Sequence, residues 1–282
     1  MNSNIIDREQ IVVNETQTKM IISGWGAEVI SDSVVEKITY MSDGYKVKGY
    51  LAYPKKLPEG KKIPLILWNR GGYRDKGAID RFTARGMFGQ TACWGYAVLA
   101  SQYRGNDGGE GEEQLGGKDI NDIKNLIPVA EELKFIDTAN IGIEGWSRGG
   151  MMSFMLLKER HEFKCAVLSG AISNLKRIAK SDGKLEEYYK GIIGPQNFDR
   201  ELERRSAIYF TRELPEIPYL ILHGGSDETV PVEQSIELSK KFSEEKRTYR
   251  LVIFEEGDHF LKNHRKEVDL LRKMWYGKYL KS

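Results

Sequence analysis

The sequence predicts an α/β protein, in which a mostly parallel, eight-stranded sheet carries helices on both faces and a leading antiparallel hairpin. Three observations carry this prediction. Short β-rich apolar runs recur along the chain, bounded by Gly, Pro and Asp. Between them, apolar residues return at three- and four-residue steps, the period of an amphipathic helix. The first two runs flank Ser42-Asp43-Gly44, whose Asp-Gly step signals a hairpin turn.

Taken in order, residues 1–33 form an N-terminal extension of mixed character, with 11–16 looking extended. Runs 35–41 and 45–53 are the hairpin strands. The run 64–68 is short and apolar and ends in Gly71-Gly72, as a buried strand would. Runs 96–101, 141–145, 163–168, 219–223 and 250–254 complete the eight. Helical periodicity marks 119–133, where Ile120, Ile123, Leu126, Ile127, Ala130 and Leu133 share a face, and also 151–160, 232–242 and 266–279. The interval 172–213 breaks the alternation. It holds Tyr188, Tyr189, Gly191, Gly194 and Pro195 and no strand, and reads as a helical insertion, either beside the active site or merely solvated. Sheets of this kind run to about 250 residues as one domain, so 34–282 reads as a single catalytic domain.

Composition removes several function classes. Lys and Arg number 43 against 41 Asp and Glu, a formal charge of +2, which argues against a dedicated nucleic-acid binder. With 40% hydrophobic residues, the chain can bury a sizeable core, so wholesale disorder is excluded. No apolar run approaches the roughly 18–20 residues of a membrane span. The N-terminus has neither the basic start nor the apolar stretch of a secretory signal, so a cytoplasmic protein with no membrane partner is expected. Cys93 and Cys165 are the two cysteines. They read as free thiols rather than a disulfide, and four soft ligands for zinc cannot be assembled.

A parallel sheet invites a dinucleotide, a nucleoside triphosphate or a hydrolase site. The glycine-rich stretch 105–111 contains no G-x-G-x-x-G, and in Gly116-Gly117-Lys118 the Ser or Thr that would hold magnesium is replaced by Asp119. Neither metal nor organic cofactor is expected. Gly145-Trp146-Ser147-Arg148-Gly149 does match G-x-S-x-G, with a strand running in and a helix running out. Such a turn lifts a serine hydroxyl above the sheet. In a chain with 29 glycines in 282 residues, the bare pattern arises by chance only about 0.1–0.2 times, and the flanking elements strengthen it further.

A serine hydroxyl needs a base, and the base needs an orienting carboxylate, in the chain order Ser, acid, His. Of the four histidines, His161 follows the nucleophile helix too closely. His223 ends a strand, and His264 opens the last helix, facing solvent. His259 lies just after the last strand and is the expected base. Asp227, in the loop after the preceding strand, is the expected acid, with Glu228 the alternative. Asp258 adjoins His259 and cannot easily reach its Nδ1. The oxyanion of a tetrahedral intermediate calls for two donors. The backbone N–H of Arg148, at a helix N-terminus, is one. The N–H of Gly72 is the other, since paired glycines let a backbone approach a ligand, although a plain tight turn would also explain them. Tyr73, Trp146, Tyr188 and Tyr189 are expected pocket residues, while Phe154 fits the core better. Arg70, Arg74 and Arg104 could meet an anionic group, but loop arginines are more often solvated or ion-paired.

Several segments together resemble the catalytic domain of the prolyl oligopeptidase family of serine peptidases, within the α/β-hydrolase fold. They are the hairpin around Ser42-Asp43-Gly44, Tyr103-Arg104-Gly105 with Gly109-Glu110-Gly111, Gly145 to Gly150, Ile221-Leu222-His223-Gly224 through Asp227 to Pro231, and Gly257-Asp258-His259-Phe260. The match spans about 34–282. The resemblance implies a serine hydrolase working through an acyl-enzyme. A chain of this length has no room for the β-propeller of larger members, so small substrates are expected: an ester, an amide or a short peptide. Some members carry Tyr or His before the oxyanion glycines, where this chain has Arg70, so a backbone donor is expected instead. A carboxylesterase or thioesterase acting on small acyl substrates is the alternative activity. The sequence leaves the oligomeric state open.

Overall fold

The structure, a computed structural model, describes residues 3–280; positions 1, 2, 281 and 282, at the ends of the expected extension and domain, lie outside the described residues. It divides into two compact units. The first runs through Glu113, takes up Asn121–Gly142 and includes Leu280, and the second comprises Gln114–Ile120 and Ile143–Tyr279. No helix among the described residues is long and apolar enough to cross a membrane.

In the first unit, β1 (Ile5–Gln10), α1 (Glu15–Trp25) and α2 (Glu28–Asp32) precede the hairpin β2 (Ser33–Ser42) and β3 (Tyr45–Pro54). After β4 (Ile63–Asn69) come α3 (Arg81–Thr83), a π turn at Ala84–Phe88, α4 (Gly89–Cys93) and β5 (Ala97–Ser101). The unit then holds α5 (Ile120–Lys124, from Asn121), α6 (Leu126–Glu132) and the start of β6 (Ile136–Trp146). Its strand order is β1-β2-β3-β5-β4-β6, antiparallel through β1, β2, β3 and β5 and parallel at β4 and β5. All seven residues of β4 and all five of β5 are buried, which is why these runs are nearly continuous apolar sequence, polar only at Asn69 and Ser101 at their ends, rather than alternating.

The second unit contains the end of β6, then α7 (Arg148–Glu159), β7 (Phe163–Ser169), α8 (Leu175–Ala179), α9 (Gly183–Ile193), α10 (Phe198–Arg204), β8 (Tyr219–Gly224), α11 (Glu233–Glu244), β9 (Tyr249–Phe254) and α12 (Arg265–Tyr279). Its strands follow the order β6-β7-β8-β9, with β7, β8 and β9 parallel. Ten residues of α7, Arg148 through Leu157, are buried, so this helix is central and not a surface helix. The interval 172–213 carries α8, α9, α10 and two 3₁₀ turns. It is tied down by Gln234 on α11, whose side-chain oxygen accepts from the Ser173 and Asn174 N–H groups at 3.0 and 2.7 Å.

Four expectations are corrected. Among the described residues nine strands are present, not eight. The addition is β1, an edge strand with only Ile5 half-buried, so its sequence shows no apolar alternation. Residues 11–16 are not a strand: from Glu15 they enter α1, opened by a reciprocal cap in which Asn14 accepts from Gln17 N–H and Gln17 from Asn14 N–H. The expected helix 119–133 is two helices divided at Asn125, because Pro128 has no N–H to give the carbonyl of Lys124 and its ring crowds that turn. His264 is half-buried, stacks on Phe254 with ring centroids 5.0 Å apart, and its Nε2 lies 2.8 Å from the Glu255 carbonyl; it does not simply face solvent.

Candidate active site

The second unit gathers chemistry-bearing residues at the C-terminal ends of its parallel strands, where loops are free to vary over a rigid sheet. Ser147 joins β6 to α7 with φ 58° and ψ −123°, a conformation that L-residues rarely adopt. The surroundings hold it there. Ser147 N–H donates to the Ser169 carbonyl at 2.8 Å, and its own carbonyl accepts from Gly150 N–H at 3.0 Å and Ile172 N–H at 3.2 Å. Two glycines make the turn possible. A Cβ on Gly145 would lie 2.3 Å from the Gly149 carbonyl oxygen, and one on Gly150 would lie 2.3 Å from the Ala171 Cβ.

Asp227 and His259 meet directly, with Asp227 Oδ2 2.6 Å from His259 Nδ1. Because an ionised carboxylate only accepts, Nδ1 carries the proton and Nε2 is left as the basic nitrogen. The other carboxylate oxygen, Oδ1, accepts from Thr229 N–H at 2.9 Å and Val230 N–H at 2.8 Å. Burial on its own pushes the Asp227 carboxyl up, but hydrogen bonds from His223, His259 and Val230 outweigh it and hold the group well below the usual carboxylate range. The loops that carry the pair are docked through backbone: Ser226 N–H donates to the Gly257 carbonyl at 3.0 Å, and a Cβ on Gly224 would lie 2.2 Å from that same oxygen.

Residues next to Ser147 and next to its partner Ser169 touch this pair. Trp146 stacks against His259 with ring centroids 5.1 Å apart and donates its indole N–H to the His259 carbonyl at 3.1 Å. Gly170, next to the Ser169 that holds Ser147, has φ 51°, and a Cβ there would come within 3.3 Å of His259 Nδ1 and 3.4 Å of Asp227 Oδ2. Ser147, Asp227 and His259 are each 8% exposed, buried yet reachable.

The remaining expected residues fall out unequally. Arg148 opens α7 and forms a buried ion pair with Asp119 at 2.8 Å, so its side chain is a brace and only its backbone belongs at the turn. Trp146 puts its ring and its N–H against His259, which makes it a support for the imidazole. Tyr188 and Tyr189 on α9 meet edge to face at 5.3 Å. Burial, and next the neighbouring Tyr188, raise the Tyr189 hydroxyl to about 12 against the opposing charge of Arg148. Glu228, the alternative acid, is exposed. Gly72 and Tyr73 lie in the first unit. Gly72 has φ 68°, and a Cβ there would stand 1.8 Å from the Lys76 carbonyl oxygen, so turn closure alone demands the glycine. Tyr73 carries Arg74 over its ring at 5.4 Å. Arg70 is fully buried against Glu113 and Tyr103, and Arg104 is bound by Asp122 and Asp43. Both are structural ion pairs, the blander of the two sequence readings.

Sequence reasoning passed over three residues beside the pair. Gly170 gives no signal in the sequence beyond being one more glycine after a strand. Phe260 follows His259, is 57% exposed and packs on Trp146 at 5.0 Å; an apolar side chain after a loop histidine was its only mark. His223 is fully buried, with its Nε2 3.4 Å from Asp227 Oδ2. Its signal was available: a histidine closing an apolar strand four positions before the expected acid.

Comparison with known proteins agrees with this architecture. The model described as "Prolyl oligopeptidase family" matches residues 87–282. The uncharacterized peptidase YtmA of Bacillus subtilis is 30% identical over 73% of this chain and 79% of its own length. Among solved structures, the Pyrococcus horikoshii acylaminoacyl peptidase superposes with a TM-score of 0.76 at 22% identity, over 89% of this chain and 42% of that one. A puromycin-hydrolyzing peptidase of Mycobacterium tuberculosis gives 0.73 at 25% identity, over 88% and 39%. The chain thus spans most of YtmA and about two fifths of the two solved chains, and its fold is that of the α/β-hydrolases.

Proposed function

Starting from the fact that this chain belongs to the prolyl oligopeptidase family of serine peptidases, we propose that it cleaves short peptides or aminoacyl amides through an acyl-enzyme on Ser147. The observation that carries the reading is the 2.6 Å contact between Asp227 and His259 Nδ1, beside a serine held at positive φ between strand and helix. Asp227 fixes the tautomer that leaves Nε2 basic and stabilises the imidazolium that forms. His259 takes the Ser147 proton as Oγ attacks the carbonyl carbon. The electron pair moves to the carbonyl oxygen, and the Arg148 N–H, at the positive end of α7, donates to that oxyanion. Collapse expels the amine, protonated by His259, and leaves the Ser147 ester. Water, deprotonated by His259, then releases the acid and restores Oγ–H.

The amide preference draws on the family and on the solved neighbour described as puromycin-hydrolyzing, since puromycin hydrolysis lies within peptidase chemistry. It is tested with paired panels of aminoacyl p-nitroanilides and p-nitrophenyl acyl esters. Turnover of both classes, abolished in Ser147→Ala, is expected. Turnover of esters alone would reassign the enzyme as a carboxylesterase.

A further inference from the structure

We propose that His223 is a positioning residue that holds Asp227 in place for His259; the proposal rests on the triad reading above. His223 lies in β8, fully buried, and all of its ring polarity is engaged. Nδ1 is 2.6 Å from Ser235 Oγ on α11, and Nε2 is 2.9 Å from the Val230 carbonyl oxygen and 3.4 Å from Asp227 Oδ2.

The partners fix the proton. A carbonyl oxygen and a carboxylate can only accept, so Nε2 carries hydrogen. On the neutral ring Nδ1 must then accept, and the Ser235 hydroxyl is the donor. The resulting order is Ser235 O–H to His223 Nδ1, and His223 Nε2–H to Val230 O with Asp227 Oδ2 at the fringe of the same donor.

This arrangement acts on Asp227 from two sides. Val230 gives its N–H to Asp227 Oδ1 at 2.8 Å while its carbonyl is held by His223, so the ring anchors the residue that orients the carboxylate. At 3.4 Å the second contact is long for a hydrogen bond. It still places a positive N–H dipole beside the oxygen that binds His259, in a site with little water to screen it. Removing the imidazole would leave the Val230 carbonyl and the Ser235 hydroxyl to find new partners and would free the 227–230 turn. A core histidine acting by packing alone would affect folding without touching the proton between Asp227 and His259.

The experiment compares His223→Leu, His223→Gln and Ser235→Ala with wild type and with Asp227→Asn. It reads kcat and KM on the best panel substrate, the thermal transition, and the far-downfield proton resonance of His259 Nδ1–H. In His223→Leu, kcat should fall about 10–100-fold, by analogy with the loss of the outer hydrogen-bond partner of a metal-ligating side chain. KM should stay within about two-fold, and the resonance should move or broaden. His223→Gln, which keeps an N–H near the Nε2 position, should recover most of the rate. A folded His223→Leu with unchanged kcat and an unmoved resonance overturns the proposal. Where His223→Leu does not fold, Ser235→Ala decides, since it deletes only the donor to Nδ1: a loss of about 3–10-fold in kcat at constant KM supports the role, and an unchanged kcat overturns it. Full activity in Asp227→Asn would instead sink the triad reading, and the His223 role with it.

Discussion

Asp227 concentrates the electrostatics of the site on one carboxylate, which accepts from two backbone N–H groups and the His259 imidazole and has the His223 N–H at the longer 3.4 Å, all while largely buried. Replacing it by Asn keeps the shape but turns the tautomer argument around, because an amide N–H can face His259 Nδ1 and drive its proton to Nε2. Asp227→Asn is therefore expected to lose about 10³–10⁴-fold in kcat with its fold intact, checked by stopped-time assays beside circular dichroism; retention within ten-fold would contradict the assigned role. The depressed Asp227 value has a stability consequence with a definite sign. A carboxyl whose folded value lies below its unfolded one adds stability that is complete above about pH 4. That contribution is lost as the pH falls toward the folded value. Denaturant midpoints measured from pH 6 to pH 2.5 should fall more steeply in wild type than in Asp227→Asn. Parallel curves would show that the carboxylate is not held by these bonds. At this scale the places of the proposed triad were legible in the sequence: Ser147 in its glycine frame, and His259 and Asp227 in loops after successive strands, which the structure brings into contact with each other. For His223 the sequence offers only its place near the end of an apolar strand four positions before Asp227; its burial shows only once Ser235 and Val230 are seen around it.

The elements explain how a strained serine is affordable. β6 and α7 meet so closely that Gly145 has backbone oxygen where a side chain would begin, and neither neighbour can retreat while α7 stays packed along ten buried residues. Gly145→Ala should cost about 1–3 kcal/mol in urea unfolding and suppress turnover beyond what the lost stability explains. Gly277 in α12 offers the contrast, since nothing lies within 4 Å of its missing Cβ and it sits in a helical stretch. Gly277→Ala is expected to stabilise by about 0.5–1 kcal/mol without changing kcat, and a lowered unfolding midpoint would contradict this. Elements with a strong period were legible to within a few residues, as β2, β3, β7, β8 and α11 show. Those read poorly had their signal elsewhere. α1 announced itself by a cap at Asn14 rather than by periodicity, β1 is an exposed edge with almost no apolar pattern, and one proline divided what the pattern joined into a single helix.

On the scale of the whole molecule, all three residues of the proposed triad belong to one compact unit, Gln114–Ile120 with Ile143–Tyr279. That unit is braced from within. The buried Glu144 at the end of β6 takes both Arg272 Nε and Nη2, at 2.8 and 2.9 Å, and also the Tyr276 hydroxyl, tying α12 to the strand that delivers Ser147. Arg148 and Asp119 do the same for the start of α7. Family membership fixes the reaction class. The proposed triad and oxyanion donor rest on the local geometry, the choice of amide over ester rests on the family and its relatives, and all stand on the experiments named for them. The most direct of these uses a fluorophosphonate, which phosphonylates only a serine whose proton is removed on attack. Labelling of the purified protein followed by peptide mass mapping should place the adduct on Ser147, with no labelling in Ser147→Ala and strongly slowed labelling in His259→Ala. A protein that takes up no probe, or one labelled equally well after Ser147→Ala, would contradict the account.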